Sequence, residues 1–200
     1  MNFNLLYISL FLNCFLYSQD YSGKWNEHYS YLNITGISSN GEEVLASAEN
    51  AIFKHNISNT ENTKTSSIQG LTGENISTYY YSDVYDTSVI GYENGLIEIV
   101  SPEGILSVVD ILNKQSIAPN IKKINHIYEL NDDVYLSCDF GIVKYNLDRL
   151  EFVDTYLIGN TGGEISVKQT TIKNEYIYAA TDEGIKRAIY SDSNIIDFSL

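Results

Sequence analysis

The stretch "YENGLIEIV", residues 92–100, returns in altered form as "CDFGIVKYN", residues 138–146, and as "TDEGIKRAI", residues 181–189. A short strand, an acidic turn and an aliphatic strand thus recur along the chain. Aligned on the turn, Ala51, Gly95, Gly141 and Gly184 stand 44, 46 and 43 residues apart. The neighbouring columns keep the same register. Ile52, Leu96, Ile142 and Ile185 follow the turn residue; Glu49, Glu93, Asp139 and Asp182 stand two before it; Ser47, Gly91, Ser137 and Ala180 stand four before it.

Each copy opens on a strand-like piece: "NITGIS" (33–38), "NISTYYY" (75–81), "INHIYEL" (124–130) and "ISVKQTTI" (165–172). The second strands are "EVLASAE", "SVIGYE", "DVYLSCD" and "YIYAATD", and outer segments such as "GILSVVDI" and "LEFVDTYLI" close the units. Val, Ile, Tyr and Thr punctuated by Gly, Asn and Asp predict hairpin-connected strands. A four-stranded unit recurring about every 40–50 residues marks a β-propeller blade. The predicted fold is therefore all-β, a propeller of which four four-stranded blades are present. In that fold both sheet faces meet adjacent blades. The small column Ser47, Gly91, Ser137, Ala180 is expected where blades approach closely, with Leu45, Val89, Tyr135 and Tyr178 supplying bulk on the same strand face.

The Gly column suits positive φ, and the acid two places earlier is expected to cap the turn, an Asp through an Asx-type bond. Ala51 departs from the glycine rule, so its turn must differ in type or carry slight strain. Equivalent turns share one face of a ring, which places Glu49, Glu93, Asp139 and Asp182, with Glu183, on a common rim. Two readings stand: an acidic arc for a basic partner or a cation, or turn chemistry repeated by descent, which needs no ligand. "KWNEHYSYL", residues 24–32, is an orphan strand of the kind that completes a last blade. The chain stops at "NIIDFSL", which reads as the outer strand of the fourth blade. An open arc would leave its end sheets bare, so the chain reads as the front part of a longer, truncated propeller.

Residues 1–18 carry no charged side chain and hold an apolar run from Leu5 to Tyr17, too short for a comfortable membrane span. They read as a secretory signal peptide cleaved after Ser18, leaving a propeller segment over 19–200 and no transmembrane anchor. Cys138 is then the lone cysteine, expected to be a buried structural thiol. The whole chain has 26 acidic against 12 basic side chains, for a net charge of -14. That balance excludes nucleic acid as a natural partner. The adjacent pairs Lys122–Lys123 and Lys186–Arg187 are expected to solvate strand or turn surfaces.

Chemistry is scarce. His28, His55 and His126 lie in different units without paired spacing, so no metal, cofactor or catalytic residue is assigned. "GNTGGE" (159–164) joins strands and lacks the Lys of a phosphate loop. Tyr79, Tyr80 and Tyr81 invite a sugar-stacking reading, although at least one face of such a strand belongs to the packing between blades.

"GLTGENIS" (70–77), "IGYENG" and "TDEGI" resemble the two-component-regulator type of propeller repeat, found in sensor kinases and surface proteins of Bacteroidetes. A fuller likeness is to the PorZ family of the type IX secretion system, carried by "YSGKWNEHYSYLNI", "VIGYENGLIEIV", "KKINHIYELNDDVYLSCDFGIVKYNL", "FVDTYLIGNTGGEISV" and "IYAATDEGIKRA". That resemblance implies a seven-bladed first propeller, a size within the usual range, followed by a second propeller and a C-terminal sorting-type domain. It also implies a non-enzymatic cell-surface protein at the outer membrane. Such a protein works beside the sortase and other attachment-complex proteins, with anionic lipopolysaccharide delivered to cargo. The rival expectation is the periplasmic, oligosaccharide-binding propeller of a hybrid histidine kinase.

Overall fold

The strand-turn-strand pattern resolves, in a computed structural model describing residues 33–190, into four antiparallel meanders. The first comprises β1 (Ile34–Ser39), β2 (Glu43–Ala48), β3 (Ala51–Asn56) and β4 (Asn62–Thr65). The second comprises β5 (Ile76–Ser82), β6 (Thr87–Tyr92), β7 (Ile97–Ser101) and β8 (Gly104–Val108), followed by a one-turn helix α1 (Asp110–Asn113). The third holds β9 (Ile124–Leu130), β10 (Asp133–Cys138), β11 (Gly141–Asn146) and β12 (Glu151–Tyr156). The fourth holds β13 (Val167–Lys173), β14 (Tyr176–Thr181) and β15 (Gly184–Ile189). The expected outer strand within 194–200, the leader 1–18 and the orphan strand 24–32 lie outside the described residues.

Consecutive sheets meet through their first strands, β1 beside β5, β5 beside β9 and β9 beside β13, so the blades fan about a common axis. They form an arc rather than a closed ring. Because each inner sheet is covered on both faces, its second strand is almost wholly shut off from water, and all of β6 is buried. Three cores fill the gaps. Leu45 and Ile52 meet Tyr79, Tyr81, Ile90 and Tyr92 between the first and second sheets. Val89, Ile97 and Ile99 meet Ile124, Ile127, Leu136 and Cys138 between the second and third. Tyr135 and Ile142 meet Val167, Ile172, Ile177 and Ala179 between the third and fourth. The expected close approach holds where a following blade exists. Ser47, Gly91 and Ser137 are buried, and the Ser137 and Thr170 hydroxyls touch at 2.8 Å across sheets. Ala180, whose sheet has no described successor, is exposed.

One regularity is invisible in the sequence. The first strand of every sheet carries a β-bulge at the equivalent place, with Thr35, Ser77, Asn125 and Lys168 as the extra residues. A bulge kinks the strand and frees the side chain of its extra residue. Ser77 donates to the carbonyl of Ile124 at 2.7 Å, and Asn125 donates to the carbonyl of Val167 at 2.9 Å. Both acceptors are the first residue of the next blade's leading strand. The bulges therefore clasp one blade to the next.

Two expectations need correction. Lys122 and Lys186 do not solvate the surface: both are buried, and their ammonium groups donate to the carbonyls of Leu112 at 2.6 Å and Ile158 at 3.1 Å. Their apolar stems fill space between elements while each head satisfies a carbonyl that backbone pairing leaves open. The outer segment "GILSVVDI" is strand only to Val108, because the chain turns into α1 at Asp110.

Candidate functional site

The turns between second and third strands are the strongest candidate that the sequence offers. Gly95, Gly141 and Gly184 adopt φ of 85°, 152° and 114°. In the first copy Ala51 opens β3, and the left-handed conformation moves to Glu49 with φ 33°. That turn thus differs in type, and a non-glycine residue carries the strain. The Asx-type bond appears in the second copy, where Asn94 rather than Glu93 accepts from the Leu96 amide at 3.0 Å.

The rim acids come with partners. Glu49 accepts from Asn33 at 3.3 Å, and Glu93 pairs with Lys123 of the next blade at 3.2 Å. Lys168 stands 3.7 Å from Asp139 and 3.5 Å from Asp182, and Glu183 pairs with Lys186 at 2.9 Å. Asp139 turns away from its own loop, which it was expected to cap. Its Oδ1 accepts from Asn125 at 2.9 Å and from Ser166 at 2.5 Å. Burial by itself would raise the Asp139 pKa, but Ser166, Asn125 and Lys168 together hold it below the usual carboxylate value. Glu93 and Asp139 thus fasten one blade to the next, whereas Glu49, Asp182 and Glu183 meet partners on their own blade.

On the opposite face, the second and third sheets meet through tyrosine–carboxylate bonds, one between leading strands and one between turns. Tyr80 donates to Glu129 at 2.9 Å and Tyr85 to Asp132 at 2.7 Å. The bond to Asp132 pushes the Tyr85 pKa up to about 12. Tyr79 and Tyr81 are buried between the first two sheets, so most of the tyrosine run serves packing. Among the described residues buried Glu98 is held without a cation: the Thr72 amide and hydroxyl donate at 2.7 and 2.8 Å, and the Tyr92 hydroxyl donates to its other oxygen. That carboxylate explains the "GLTGENIS" piece, whose Thr72 it ties to β7.

Two hollows remain. A cleft of 450 Å³ lies among the leading strands of the first three sheets and includes Thr35, Tyr80, His126 and Tyr128. Among the described residues buried His126 Nδ1 finds no hydrogen-bond partner, and desolvation lowers the imidazole pKa. A larger groove of 710 Å³ runs along the periphery between residues 109–117 and β12. Neither was predicted, because each is assembled from segments distant in sequence. Among the described residues no three His, Cys, Asp or Glu side chains converge as a metal would require, and no helix is long and apolar enough to cross a membrane.

Comparison with known proteins fits this architecture. The chain superimposes on PorZ, a surface component of the type IX secretion system of Porphyromonas gingivalis, with a TM-score of 0.72 and 19% identity over 88% of this chain and 23% of that one. It is also similar to the extracellular domains of two putative hybrid two-component systems of B. thetaiotaomicron. One gives a TM-score of 0.66 at 15% identity, covering 84% of this chain and 22% of that one. The other gives 0.60 at 18%, covering 84% and 21%. The chain thus spans less than a quarter of the length of each. No curated protein sequence matches it. The family model described as the type IX secretion PorZ N-terminal β-propeller domain matches residues 44–200, from the second strand of the first blade onward. The repeat, the bladed arc and that match agree, and the chain belongs to the PorZ N-terminal β-propeller family.

Proposed function

We propose that this chain is an exported, non-enzymatic binding and scaffold module of type IX secretion machinery at the cell surface. It would act beside the sortase and other attachment-complex proteins, with anionic lipopolysaccharide as the material supplied to cargo. The family match over residues 44–200 carries the reading. The architecture supports it: rigid sheets display loops from several blades on each face, which suits contacts with a large partner. In this reading residues 1–18 are a signal peptide removed on export.

Disrupting the gene tests the role. Cargo proteins of the system are expected to accumulate unmodified in the medium or periplasm, and normal surface display would overturn the proposal. The similarity to two-component extracellular domains favours one rival, an oligosaccharide-sensing propeller. Immunoblotting cell fractions with an antibody to residues 19–200 separates them. A surface band long enough for two propellers supports the secretion role, and an inner-membrane band of kinase size supports the sensor.

A further inference from the structure

The chain contains two Asn–Gly dipeptides, Asn40–Gly41 and Asn94–Gly95, and the fold treats them differently. Asn–Gly is the pairing in which a backbone amide most readily attacks the preceding side chain, because glycine has no Cβ to hinder the approach. Each pair sits in a tight turn, Asn40 between β1 and β2 and Asn94 between β6 and β7. The local sequence makes both eligible, so the surroundings decide between them.

At Asn94 the nucleophile is held. The Gly95 amide donates to the Tyr92 carbonyl at 3.2 Å, and Gly95 is buried. A Cβ built there would lie 2.7 Å from Ile111 Cγ2 and 3.1 Å from the Lys122 carbonyl, so these two residues wedge the turn in place. At Asn40 the nucleophile is loose. Among the described residues the Gly41 amide donates to no acceptor, Gly41 is exposed, and no atom lies within 4 Å of its Cβ position. That turn is free to bend as ring closure requires.

The Asn40 carboxamide is also primed. Its Oδ1 accepts from the Glu42 and Glu43 amides at 3.2 and 2.8 Å, two donors aimed at the oxygen that gains charge when the carbon is attacked. Among the described residues Asn94 Oδ1 has a single donor, the Leu96 amide at 3.0 Å. Asn40 Nδ2 donates to the Glu43 carboxylate at 3.4 Å, which sets a negative charge beside the nitrogen that must leave as it takes on a proton. Exposure of the asparagine alone would favour Asn94, which is open where Asn40 is half-buried. A bonded, wedged amide outweighs it, because ring closure depends on how freely the nitrogen reaches Cγ.

We infer that Asn40 is a site of spontaneous modification in the folded protein and that Asn94 is protected. The Gly41 nitrogen loses its proton to solvent base and bonds to Asn40 Cγ; the Cγ–Nδ2 bond breaks and ammonia departs, leaving a cyclic succinimide. Water then opens either carbonyl of that ring, giving aspartate or, with the main chain rerouted through the side chain, isoaspartate. Either product adds a carboxylate to a turn where the carboxamide donated to Glu43, so attraction becomes repulsion. Isoaspartate also lengthens the main chain between β1 and β2, the hairpin that opens the first blade. The site is independent of which partner the propeller serves.

The test incubates the full-length protein in warm, mildly alkaline buffer made with heavy-oxygen water and maps the digest by mass spectrometry. Residue 40 is expected to take up the label at least about tenfold faster than residue 94, the ratio that one held amide and one further donor amount to. In urea, with the fold removed, the two rates should converge. Asn40→Gln, whose longer side chain closes the ring poorly, should abolish uptake at that position and leave Asn94 unchanged. Equal rates in the folded protein, faster conversion at Asn94, or no conversion at Asn40 would overturn the assignment. So would a preference for Asn40 that survives unchanged in urea, since sequence rather than structure would then set it. Isoaspartate-specific methylation should label the aged parent and not aged Asn40→Gln; equal labelling would place the modification elsewhere.

Discussion

At Asp139 one carboxylate oxygen takes hydrogen bonds from its own sheet through Asn125 and from the next through Ser166, with Lys168 close by. Bonds to an ionised acceptor are stronger than neutral ones, and this group is only partly open to water. Its pKa is held down in the folded state. The contribution is therefore fully present above the unfolded value near 3.9 and is lost as pH falls through the lower folded value. Asp139→Asn should destabilise the protein at pH 7 by on the order of 1 kcal/mol. It should also flatten the loss of stability between about pH 4 and pH 2. Urea titrations across that range check it. A variant that tracks the parent at every pH would mean that the clasp is decoration.

Between elements, the decisive contact is strand against strand across a blade gap. A Cβ built on Gly91 of β6 would lie 2.7 Å from Thr78 Cγ2 and 2.9 Å from Ile124 Cγ2, the latter in the next sheet. Gly91→Leu must push β9 away and should destabilise by about 1–3 kcal/mol; a thermal melt identical to that of the parent would contradict the blade register. This column is legible in the amino-acid sequence because Ser47, Gly91 and Ser137 repeat one steric demand at fixed spacing. The turn glycines are legible for the same reason. The bulges are not, since one extra residue in a strand leaves the alternation of apolar positions almost unchanged over so short a length. The partners of the acidic rim are hidden too. Lys123 meets Glu93 from a position 30 residues onward, a pairing that depends on how the blades are rotated about the axis. The peripheral groove needs both α1, which interrupts an expected strand, and the neighbouring β12.

Across the whole molecule, burial is uneven in a way that follows from the arc. The second and third sheets are sandwiched, and Val89, Ile90, Val134 and Leu136 are shut off from water. The end sheets are not: Ile37 is 72% exposed and Ile185 is 67% exposed, with Ile34 and Ile189 also open. Among the described residues nothing covers these faces. A sheet face stripped of its neighbour loses about 25 cal/mol of stabilisation per Å² of apolar surface left wet, and such patches draw chains together. The segment 19–200, expressed alone, should therefore self-associate and melt over a broad range. The second and third sheets should keep amide protection longest, because local opening follows contact density. Sedimentation, calorimetry and hydrogen exchange on one preparation test all three expectations. A sharp, reversible transition of a monomer with uniform protection would mean that the arc is stable without further blades. A chain that sharpens its transition when extended by three more repeats would place the missing stability in the closure of the ring.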